Sequence, residues 1–570
     1  MENAQPVPAS RGREKGAISG ALAALLAVFL NLLWRSSLAP PGVPAIPESI
    51  VAAVARLTPT SLFGWATENF GSLAQNSLFA ASIAGIVLAG AVAGRIVASW
   101  EHAARRGGKL SRLTAAVSMA VLLFLVIAVV VFPLAREGIF ASSSVRQVSM
   151  LLQAAGFAAI WALGWIALAT GEEEMTPTSE TRNPEVSRRR ALQTVIGAGL
   201  TAGIAVVGWR LAKSPDRVDA ATQDEAANEI KTRARLAAAN ATEPATATAD
   251  DIAGLSAIEA LQDNNPEAAF DALEAEGKLT PVITSVANFY HVSKNIGDPV
   301  VDAANWTLSI AGKVEKPLTF SYQDILDRSK MSNITTLSCI SNELNGDLAG
   351  TAEWSGFPLR TLLEEAKVDP ATVDIVFRAA DGYDDSIPLQ QAMHPSTMVV
   401  TGMNGEPLPP DHGFPARIIV PPIYGMKNVK WLESIEAVDT DYQGYWQTRG
   451  WSDPAPYQIW GRIDTPAPGE ELAAGDAVAA GVASAGDRGI FQVEVSLDGG
   501  ETWADATLEP SINPDFTWVR WVFPFTATAG TMTLLMRATD GEGNVAPEER
   551  RPPLPDGATG WPDRTFRVAG

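Results

Sequence analysis

Five apolar stretches in the first 213 residues constrain the fold more than any other feature of the chain. Each has about the 20 residues that an α-helix needs to cross the hydrocarbon core of a bilayer. They run over residues 17–34, 78–97, 113–134, 148–169 and 192–209. A hydrophobic share of 47% with only 19% charged residues fits a membrane part of this size. We therefore predict a transmembrane anchor over residues 1–213, an all-α bundle of five helices.

The distribution of Lys and Arg between the apolar stretches predicts their orientation. The N-terminus and the second and fourth connecting segments carry twelve of these residues, against four in the first and third. Positively charged flanks stay cytoplasmic, so the N-terminus is predicted inside and the chain after the fifth span outside. The part after Lys213 carries a formal net charge of −28, against −21 for the whole chain, and this argues against nucleic acid as a partner.

Two segments near the membrane each allow two interpretations. Ser187–Leu192, with the sequence SRRRAL, reads like an internal twin-arginine export signal before the fifth stretch. Such signals export folded domains that already hold a cofactor, but a charged stop before a helix is the alternative. Residues 48–74 suit either an amphipathic interfacial helix or a solvated connector. The apolar stretches contain no histidine and no ionisable residue at mid-depth, so the bundle is predicted to be an anchor without haem or an ion path.

After the anchor, the sequence divides into three stretches that differ in composition and hydrophobic pattern. Residues 214–279 are rich in Ala, Asp, Glu and Thr and are predicted to form an acidic linker with partial helix. Residues 280–457 mix short β-type runs with a few helices, which indicates an α+β domain. Residues 458–570 are purely β-like and suggest an immunoglobulin-like sandwich. The alternating runs that carry this last prediction are 491–496, 517–522 and 534–538, with a turn at Asp498-Gly499-Gly500.

The chain has one cysteine and four histidines, which limits its possible cofactors. One cysteine excludes an internal disulfide, a cysteine-ligated iron–sulfur cluster, a CxxCH haem site and a thiolate zinc site. We therefore expect no haem and no iron–sulfur cluster. A lone cysteine is most often a small buried hydrophobe, so Cys339 needs its surroundings to suggest a role.

Those surroundings consist of several separate blocks in a fixed order. They are 288–291 (NFYH), 337–342 (LSCISN), 346–348 (GDL), 354–359 (WSGFPL), 403–409 (MNGEPLP), 411–417 (DHGFPAR) and 424–432 (YGMKNVKWL). Together they resemble the sulfite oxidase family of molybdopterin enzymes, in its membrane-anchored bacterial form. The resemblance runs from about residue 280 to 570, and 458–570 resembles the family's molybdenum-cofactor dimerisation domain.

The resemblance implies molybdenum held by one molybdopterin and by a single protein thiolate, which Cys339 would supply as the metal ligand. This soft donor set needs only one cysteine. For Arg417 and Lys430 a surface pair on a strand is the alternative, and for His291 and His394 structural roles are expected. The implied cofactor-binding residues are Asn288, Phe289, Tyr290, Cys339, His412, Arg417, Lys427 and Lys430.

The sequence departs from the sulfite-oxidising members around the expected substrate pocket. Val292 stands where an arginine would hold sulfite, Glu343-Leu344 replaces a pair of arginines, and Trp451 stands where a catalytic tyrosine is expected. With Cys339, the catalytic candidates are Glu343, Tyr424 and Trp451 at the substrate rim. Fewer cations weaken the binding of a dianion, because each charge-assisted contact contributes about 1.5–3 kcal/mol.

The resulting prediction is a membrane-anchored, extracytoplasmic mononuclear molybdenum oxidoreductase that transfers an oxygen atom. The small-molecule substrate would be an S-oxide, an N-oxide or a sulfite-like anion. Electrons would be exchanged with a separate redox partner or a quinone, and two copies would form a homodimer. The alternatives are sulfite oxidation proper and a non-catalytic, membrane-tethered binding protein with a degenerate site.

Overall fold

The computed structural model describes eight parts of the chain. They are residues 9–37, 45–57, 60–107, 112–134, 144–170, 231–232, 256–295 and 298–570. The described residues fall into two compact units, one with the helices up to residue 170 and one with nearly everything from Lys231 onward.

The described part of the first unit has five helices. They are α1 (Ala9–Ser37), α2 (Ile46–Leu57), α3 (Thr60–Gly107), α4 (Arg112–Val126, continued by a π-helical turn at Ile127–Val131 and by Phe132–Leu134) and α5 (Ser144–Thr170). Among the residues that the structure describes, four segments are long and apolar enough to cross a membrane: Arg13–Arg35, Ser77–Trp100, Leu113–Val131 and Val148–Leu168. These agree with the first four predicted spans and are compatible with membrane anchoring. The fifth predicted span, 192–209, and the SRRRAL motif lie outside the described residues.

Glycine contacts bring α1 and α3 close together. A Cβ at Gly20 would collide with the carbonyl oxygen of Gly90, and one at Gly94 with that of Gly16. Small residues at a four-residue spacing allow two helix backbones to touch in this way. α5 also donates two indole hydrogen bonds to the backbone of α1. Trp161 Nε1 lies 3.1 Å from Gly20 O, and Trp165 Nε1 lies 3.3 Å from Gly16 O.

The segment with two possible interpretations, 48–74, is helical but not one continuous element. It is divided between the end of α2 and the first part of α3, which extends over 48 residues. At the start of α2, the Ile46 amide donates to Asn31 Oδ1 at 2.9 Å. The segment is therefore part of the helical unit.

The second unit contains five short helices and nineteen strands among its described residues. The helices are α6 (Ala257–Gln262), α7 (Pro266–Ala275), α8 (Tyr322–Leu326), α9 (Arg360–Ala366) and α10 (Leu389–Ala392). The first ten strands are β1 (Thr307–Gly312), β2 (Leu318–Ser321), β3 (Met331–Ser338), β4 (Ala349–Pro358), β5 (Asp374–Ala379), β6 (Asp384–Pro388), β7 (Met398–Met403), β8 (Glu406–Pro407), β9 (Arg417–Ile419) and β10 (Leu432–Val438). The other nine are β11 (Trp460–Thr465), β12 (Glu471–Ala473), β13 (Gly475–Ser484), β14 (Ile490–Ser496), β15 (Ala504–Asp505), β16 (Thr507–Leu508), β17 (Val519–Ala527), β18 (Gly530–Asp540) and β19 (Asp563–Ala569).

Strands β1–β10 form two sheets, the first mixed, with β1 parallel to β10, and the second antiparallel throughout. One has the order β2-β1-β10-β5-β6, and the other has the order β3-β4-β7-β8 with β9 paired to β7. Side chains of β7 alternate between two cores, as the two-residue period of a strand requires. Val399 packs into the core shared with α9 and the first sheet, whereas Met398 and Val400 pack with Phe289 and Trp354 on the opposite face. This second face carries the site described below.

Strands β11–β19 form two further sheets, with the orders β11-β13-β17-β16 and β12-β19-β18-β14-β15. One hydrophobic core joins them, with Trp521 from the first sheet and Met536 from the second both buried in it. β14, β17 and β18 coincide with the three predicted alternating runs. The chain is β-rich here as expected, and the immunoglobulin-like topology stays a prediction.

The last part of the predicted linker 214–279 is helical and packed against a sheet. From residue 256 onward it folds into α6 and α7, whose residues share a core with Ala480 of β13 and Val522 of β17. The alanines that indicated a tether are small enough for both helices to lie flat on the sheet, and Phe270 and Leu273 supply the larger apolar groups. This part of the chain therefore belongs to the folded body.

Candidate functional site

Cys339 lies immediately after β3, at the point where the strand ends. Its amide donates to Leu348 O at 2.9 Å, which closes the loop between β3 and β4. The side chain is 8% exposed, and its Sγ lies 3.0 Å from Ser341 Oγ. Burial raises the pKa of the Cys339 thiol, because a thiolate is poorly solvated there. A bound metal cation would reverse that shift.

Three tyrosines surround Cys339 closely enough to interact with its charge. Burial, and then the negative charge of a Cys339 thiolate, raise the pKa of the Tyr290 hydroxyl well above its ordinary value. The pKa values of Tyr424 and Tyr457 are also raised, with burial as the main cause and Cys339 as a contributor. All three phenols therefore stay neutral near the thiol and can act as hydrogen-bond donors.

On one side of Cys339, the fold gathers three cationic residues. His412 lies in a 3₁₀ turn, Arg417 begins β9, and Lys430 precedes β10. Gly413 allows this approach, because it has a φ of +113° and a Cβ there would lie 3.1 Å from Arg417 Cβ and 3.2 Å from Lys430 Cα. Arg417 also donates to His412 O at 3.0 Å. The turn at Gly413 thus sets the spacing of the cluster.

Burial lowers the proton affinity of all three residues. Burial, followed by repulsion from Arg417 and Lys430, lowers the pKa of His412 to about 4. Burial lowers the pKa of Arg417 to about 10. Lys430 falls to a pKa of about 8, again mainly through burial. A cluster whose members all resist protonation favours an anion, since a negative group would remove the penalty that burial imposes on positive charge.

Aromatic rings fix the cation cluster in place. Phe289 packs edge-on against His412, with 5.5 Å between ring centroids, and against Trp354 at 5.6 Å. The guanidinium carbon of Arg417 lies 5.0 Å from the centre of the Trp354 ring. Arg417 Nε is buried, and no described residue accepts its hydrogen bond. A buried donor of this kind is costly unless a ligand accepts from it.

The other side of Cys339 is apolar and aromatic. We call this side the aromatic wall; its buried members are Ile340, Tyr424, Met426, Trp451, Ala455 and Tyr457. Leu554, from the loop between β18 and β19, packs against it. The indole Nε1 of Trp451 is buried and has no acceptor among the described residues. The wall is therefore built by both domains of the second unit.

Lys427 does not join the cation cluster. Its ammonium lies 2.9 Å from Asp385 Oδ1 and 2.9 Å from Asp453 Oδ1, and it donates to Ser386 O at 2.9 Å. Burial alone would lower the pKa of Lys427, but Asp385 and Asp453 raise it. These contacts occupy its hydrogen-bonding capacity, so the positive charge expected beside the cofactor is neutralised.

Other predicted site residues lie at the surface. Asn288 and Glu343 are exposed, and Val292 is 40% exposed. His291 pairs with Asp298, with 2.8 Å between Nε2 and Oδ2, which agrees with the structural role expected of it.

Comparison with known proteins identifies the two domains of the second unit. Residues 295–446 match the family model described as "Oxidoreductase molybdopterin binding domain", and 457–552 match "Mo-co oxidoreductase dimerisation domain". Mitochondrial sulfite oxidase of Macaca fascicularis is 28% identical over 336 residues, and sulfite oxidase of Arabidopsis thaliana is 29% identical over 335 residues. The two matched domains belong to the sulfite oxidase family of molybdopterin enzymes.

These matches cover only part of this chain and part of each relative. The macaque comparison covers 50% of this chain and 62% of the macaque enzyme, and the Arabidopsis comparison covers 47% and 84%. An NADH nitrate reductase of Phaseolus vulgaris is 28% identical, and its match covers 50% of this chain and 38% of the reductase. The solved sulfane dehydrogenase SoxCD of Paracoccus pantotrophus is 25% identical, with a match over 51% of this chain and 84% of the solved chain and a TM-score of 0.44.

The residues of the site fit the family's molybdenum–molybdopterin group. Cys339 is a buried thiol that can act as a soft ligand. Within the described ranges, no cluster of three His, Cys, Asp or Glu side chains is arranged to hold a metal, so Cys339 would act with the ligands of the pterin. The unpaired Arg417 Nε and the cation cluster suit a terminal phosphate.

Three features of the site were not predicted from the sequence. Asp385 and Asp453 neutralise Lys427, and Leu554 completes the aromatic wall from the C-terminal domain. Asp453 follows Trp451 by two residues, so its proximity had a local signal. Asp385 and Leu554 are distant in sequence, and only the pairing of the strands and domains brings them here.

Proposed function

We propose that this chain is a membrane-anchored, extracytoplasmic mononuclear molybdenum oxidoreductase that performs a two-electron oxygen-atom transfer. The observation that carries the proposal is the position of the single thiol, Cys339. Its charge acts on Tyr290, which Arg417 also affects, and on Tyr424 and Tyr457 of the aromatic wall. The cation cluster suits the cofactor, and the wall suits a substrate.

The protein's own groups have separate roles in this proposal. Cys339 would hold the metal, and His412, Arg417 and Lys430 would hold the pterin phosphate. Phe289 and Tyr290 would line the pterin, because Phe289 packs on His412 and a Cβ at Gly425 would lie only 2.5 Å from the Tyr290 hydroxyl oxygen. When bound, a molybdenum–molybdopterin group supplies the two-electron redox chemistry.

The substrate side favours a small neutral molecule over a dianion. Tyr424 and Trp451 present a largely apolar surface, and Trp451 Nε1 is available to donate a hydrogen bond to a substrate oxygen. Val292 and the exposed Glu343 add no positive charge, and Lys427 is already paired. An S-oxide or N-oxide therefore fits this surface best. Sulfite oxidation is the second candidate, because relatives over this region are sulfite oxidases.

The proposal also covers the membrane anchor, the electron partner and the oligomeric state. The four apolar spans and the bias of Lys and Arg support an anchor with the acidic part outside. We propose a separate redox protein or a quinone as the electron partner. The match of 457–552 to a dimerisation domain supports a homodimer.

The first experiment is to measure molybdenum and pterin in the detergent-extracted protein. Wild type should contain about one metal and one pterin per chain. Cys339→Ser should lose or alter the metal centre while its circular dichroism is retained. Asp441→Asn, at an exposed carboxylate, is the control and should match wild type. A folded, exported wild type without metal would overturn the proposal and favour a membrane-tethered binding protein.

A further inference from the structure

Lys427, Asp385 and Asp453 form a buried charge triad under the aromatic wall. The Lys427 side chain is 3% exposed and that of Asp385 is 0% exposed, whereas Asp453 is 35% exposed. Two oxygen atoms 2.9 Å from one ammonium leave it little freedom to turn toward another ligand. The triad is therefore a fixed unit with one carboxylate that reaches the solvent.

Asp385 is fully compensated without Asp453. Its Oδ1 pairs with Lys427, and its Oδ2 accepts from the Tyr383 hydroxyl at 2.7 Å and from Gln447 Nε2 at 3.4 Å. Lys427 and Asp385 thus balance each other in formal charge. Asp453 adds one negative charge that the triad does not balance, and this charge lies on its exposed side.

The position of the triad connects it to the substrate side. Lys427 directly follows Met426, and Asp453 follows Trp451 by two residues; both neighbours are buried members of the aromatic wall. The intervening Ser452 amide donates to Pro555 O at 3.1 Å, beside Leu554, which packs on the same wall. The Asp453 carboxylate is therefore fixed next to the surface that a substrate would contact.

We propose that Asp453 determines substrate specificity by excluding oxyanions. It holds Lys427 away from the pocket, and it places an unbalanced negative charge at the pocket's edge. A site can select one ligand by repelling another, and this device acts against dianions without touching a neutral substrate. The inference rests on the proposed function, because it assigns the aromatic wall to the substrate.

The test compares the holoprotein with three variants. Asp453→Asn removes the charge, and Asp453→Glu retains it. Asp441→Asn removes an exposed carboxylate that accepts a hydrogen bond from Gln443 at 3.2 Å. Binding of sulfate, a redox-inert dianion, is measured by calorimetry at constant ionic strength. Turnover is measured with sulfite and with dimethyl sulfoxide.

Asp453→Asn should bind sulfate about tenfold more tightly and should lower the KM for sulfite, with the KM for dimethyl sulfoxide unchanged. A tenfold change equals about 1.4 kcal/mol, the size of one screened charge contact. Asp453→Glu and Asp441→Asn should behave as wild type. Equal sulfate affinity in Asp453→Asn and wild type would overturn the inference, and so would an equal change in KM for both substrates.

Sulfate binding separates this inference from the proposed function. If wild type and the three variants are folded but contain no molybdenum, the proposed function fails and there is no turnover to compare. The sulfate comparison still shows whether Asp453 repels a dianion, because all four proteins share His412, Arg417 and Lys430. Any difference between Asp453→Asn and wild type then arises from position 453.

Discussion

His412 is buried near Arg417 and Lys430, and this makes the stability of the cofactor-free chain depend on pH. Its side chain is 4% exposed, and its pKa of about 4 lies well below the ordinary 6.5 of histidine. The unfolded chain therefore binds a proton between pH 6.5 and 4 that the folded chain does not. The free energy of unfolding should fall as the pH falls through that window.

We expect a loss of up to about 3 kcal/mol, since one pKa unit corresponds to about 1.4 kcal/mol. Urea unfolding at pH 7 and pH 4.5 measures it, with protein produced in a host that makes no molybdopterin. His412→Gln should remove most of the loss. His394→Gln, at an exposed histidine, is the control. Equal pH dependence in His412→Gln and wild type would contradict the assignment.

A second residue-scale prediction concerns the missing pocket cations. Arginine at both Val292 and Glu343 should raise kcat/KM for sulfite by about one to two orders of magnitude, because each charge-assisted contact contributes about 1.5–3 kcal/mol and solvent screens part of it. Steady-state kinetics with sulfite checks this, and Asp347→Arg, at an exposed position of the same loop, is the control. Unchanged sulfite kinetics in the double variant would count against a pocket that lacks cations.

At the scale of elements, α7 is attached to the C-terminal sheet by a buried ion pair. Arg520 on β17 is 1% exposed, and it contacts Glu509 at 2.8 Å and Glu274 of α7 at 2.5 Å. The Arg520 guanidinium also lies 5.5 Å from the Phe270 ring centre. Removing Arg520 takes a buried cation away from both carboxylates, while Glu274 keeps its contact with Lys231 at 2.6 Å. This contact therefore keeps α6 and α7 on the sheet.

Arg520→Ala should destabilise the second unit by about 3–5 kcal/mol. Limited proteolysis should then cut the chain within residues 256–279 before any other part of the unit. Arg537→Ala removes a more exposed pair with Glu494 and should cost about 1 kcal/mol or less. The attachment would be refuted if residues 256–279 resisted protease equally in Arg520→Ala and wild type.

The contact between α1 and α3 makes an equally specific prediction. Gly94→Val places a side chain against the Gly16 backbone, so it should lower the thermal stability of the detergent-solubilised helical unit by several degrees. Gly85→Val lies on the same helix, where a Cβ would meet no atom within 4 Å, and should be tolerated. Similar melting of the two variants would show that the helices do not touch as described.

Periodicity predicted these elements better than composition did. Strict alternation located β14, β17 and β18, and apolar length located four helices. The Ala-rich composition of 256–279 indicated a tether, because small residues look alike in a linker and in a helix that lies flat on a sheet. Deciding between these requires the surface that the segment meets, which is more than 200 residues away at Val522. The sequence did not predict the contact of Lys427 with Asp385 for the same reason, because the two residues are distant in sequence.

For the whole molecule, the main asymmetry is electrostatic. The sequence through Lys213 carries a net charge of +7 and the remainder −28. Lys and Arg near apolar spans resist translocation, whereas Asp and Glu have little effect. The bias of Lys and Arg between the spans, and not the net charge, is therefore what supports the proposal of a cytoplasmic N-terminus and an exported C-terminal half.

A short epitope tag after Gly570 tests this orientation. In intact spheroplasts the tag should react with an antibody, whereas a tag placed before Met1 should react only after the membrane is permeabilised. The protein tagged at its N-terminus is the matched control for membrane integrity. Reactivity of the N-terminal tag alone in intact cells would reverse the proposed topology.

Because the thiol is single and buried, its alkylation can also measure the fraction of chains that hold the metal. With one cysteine in the chain, an alkylating dye can attach at only one place, so the signal is a count of molecules. A coordinated sulfur is shielded from alkylation, and a vacant one reacts once denaturant exposes it. The fraction of chains labelled can be measured before and after metal release. The difference between the two would give the proportion of chains that hold the metal in any preparation.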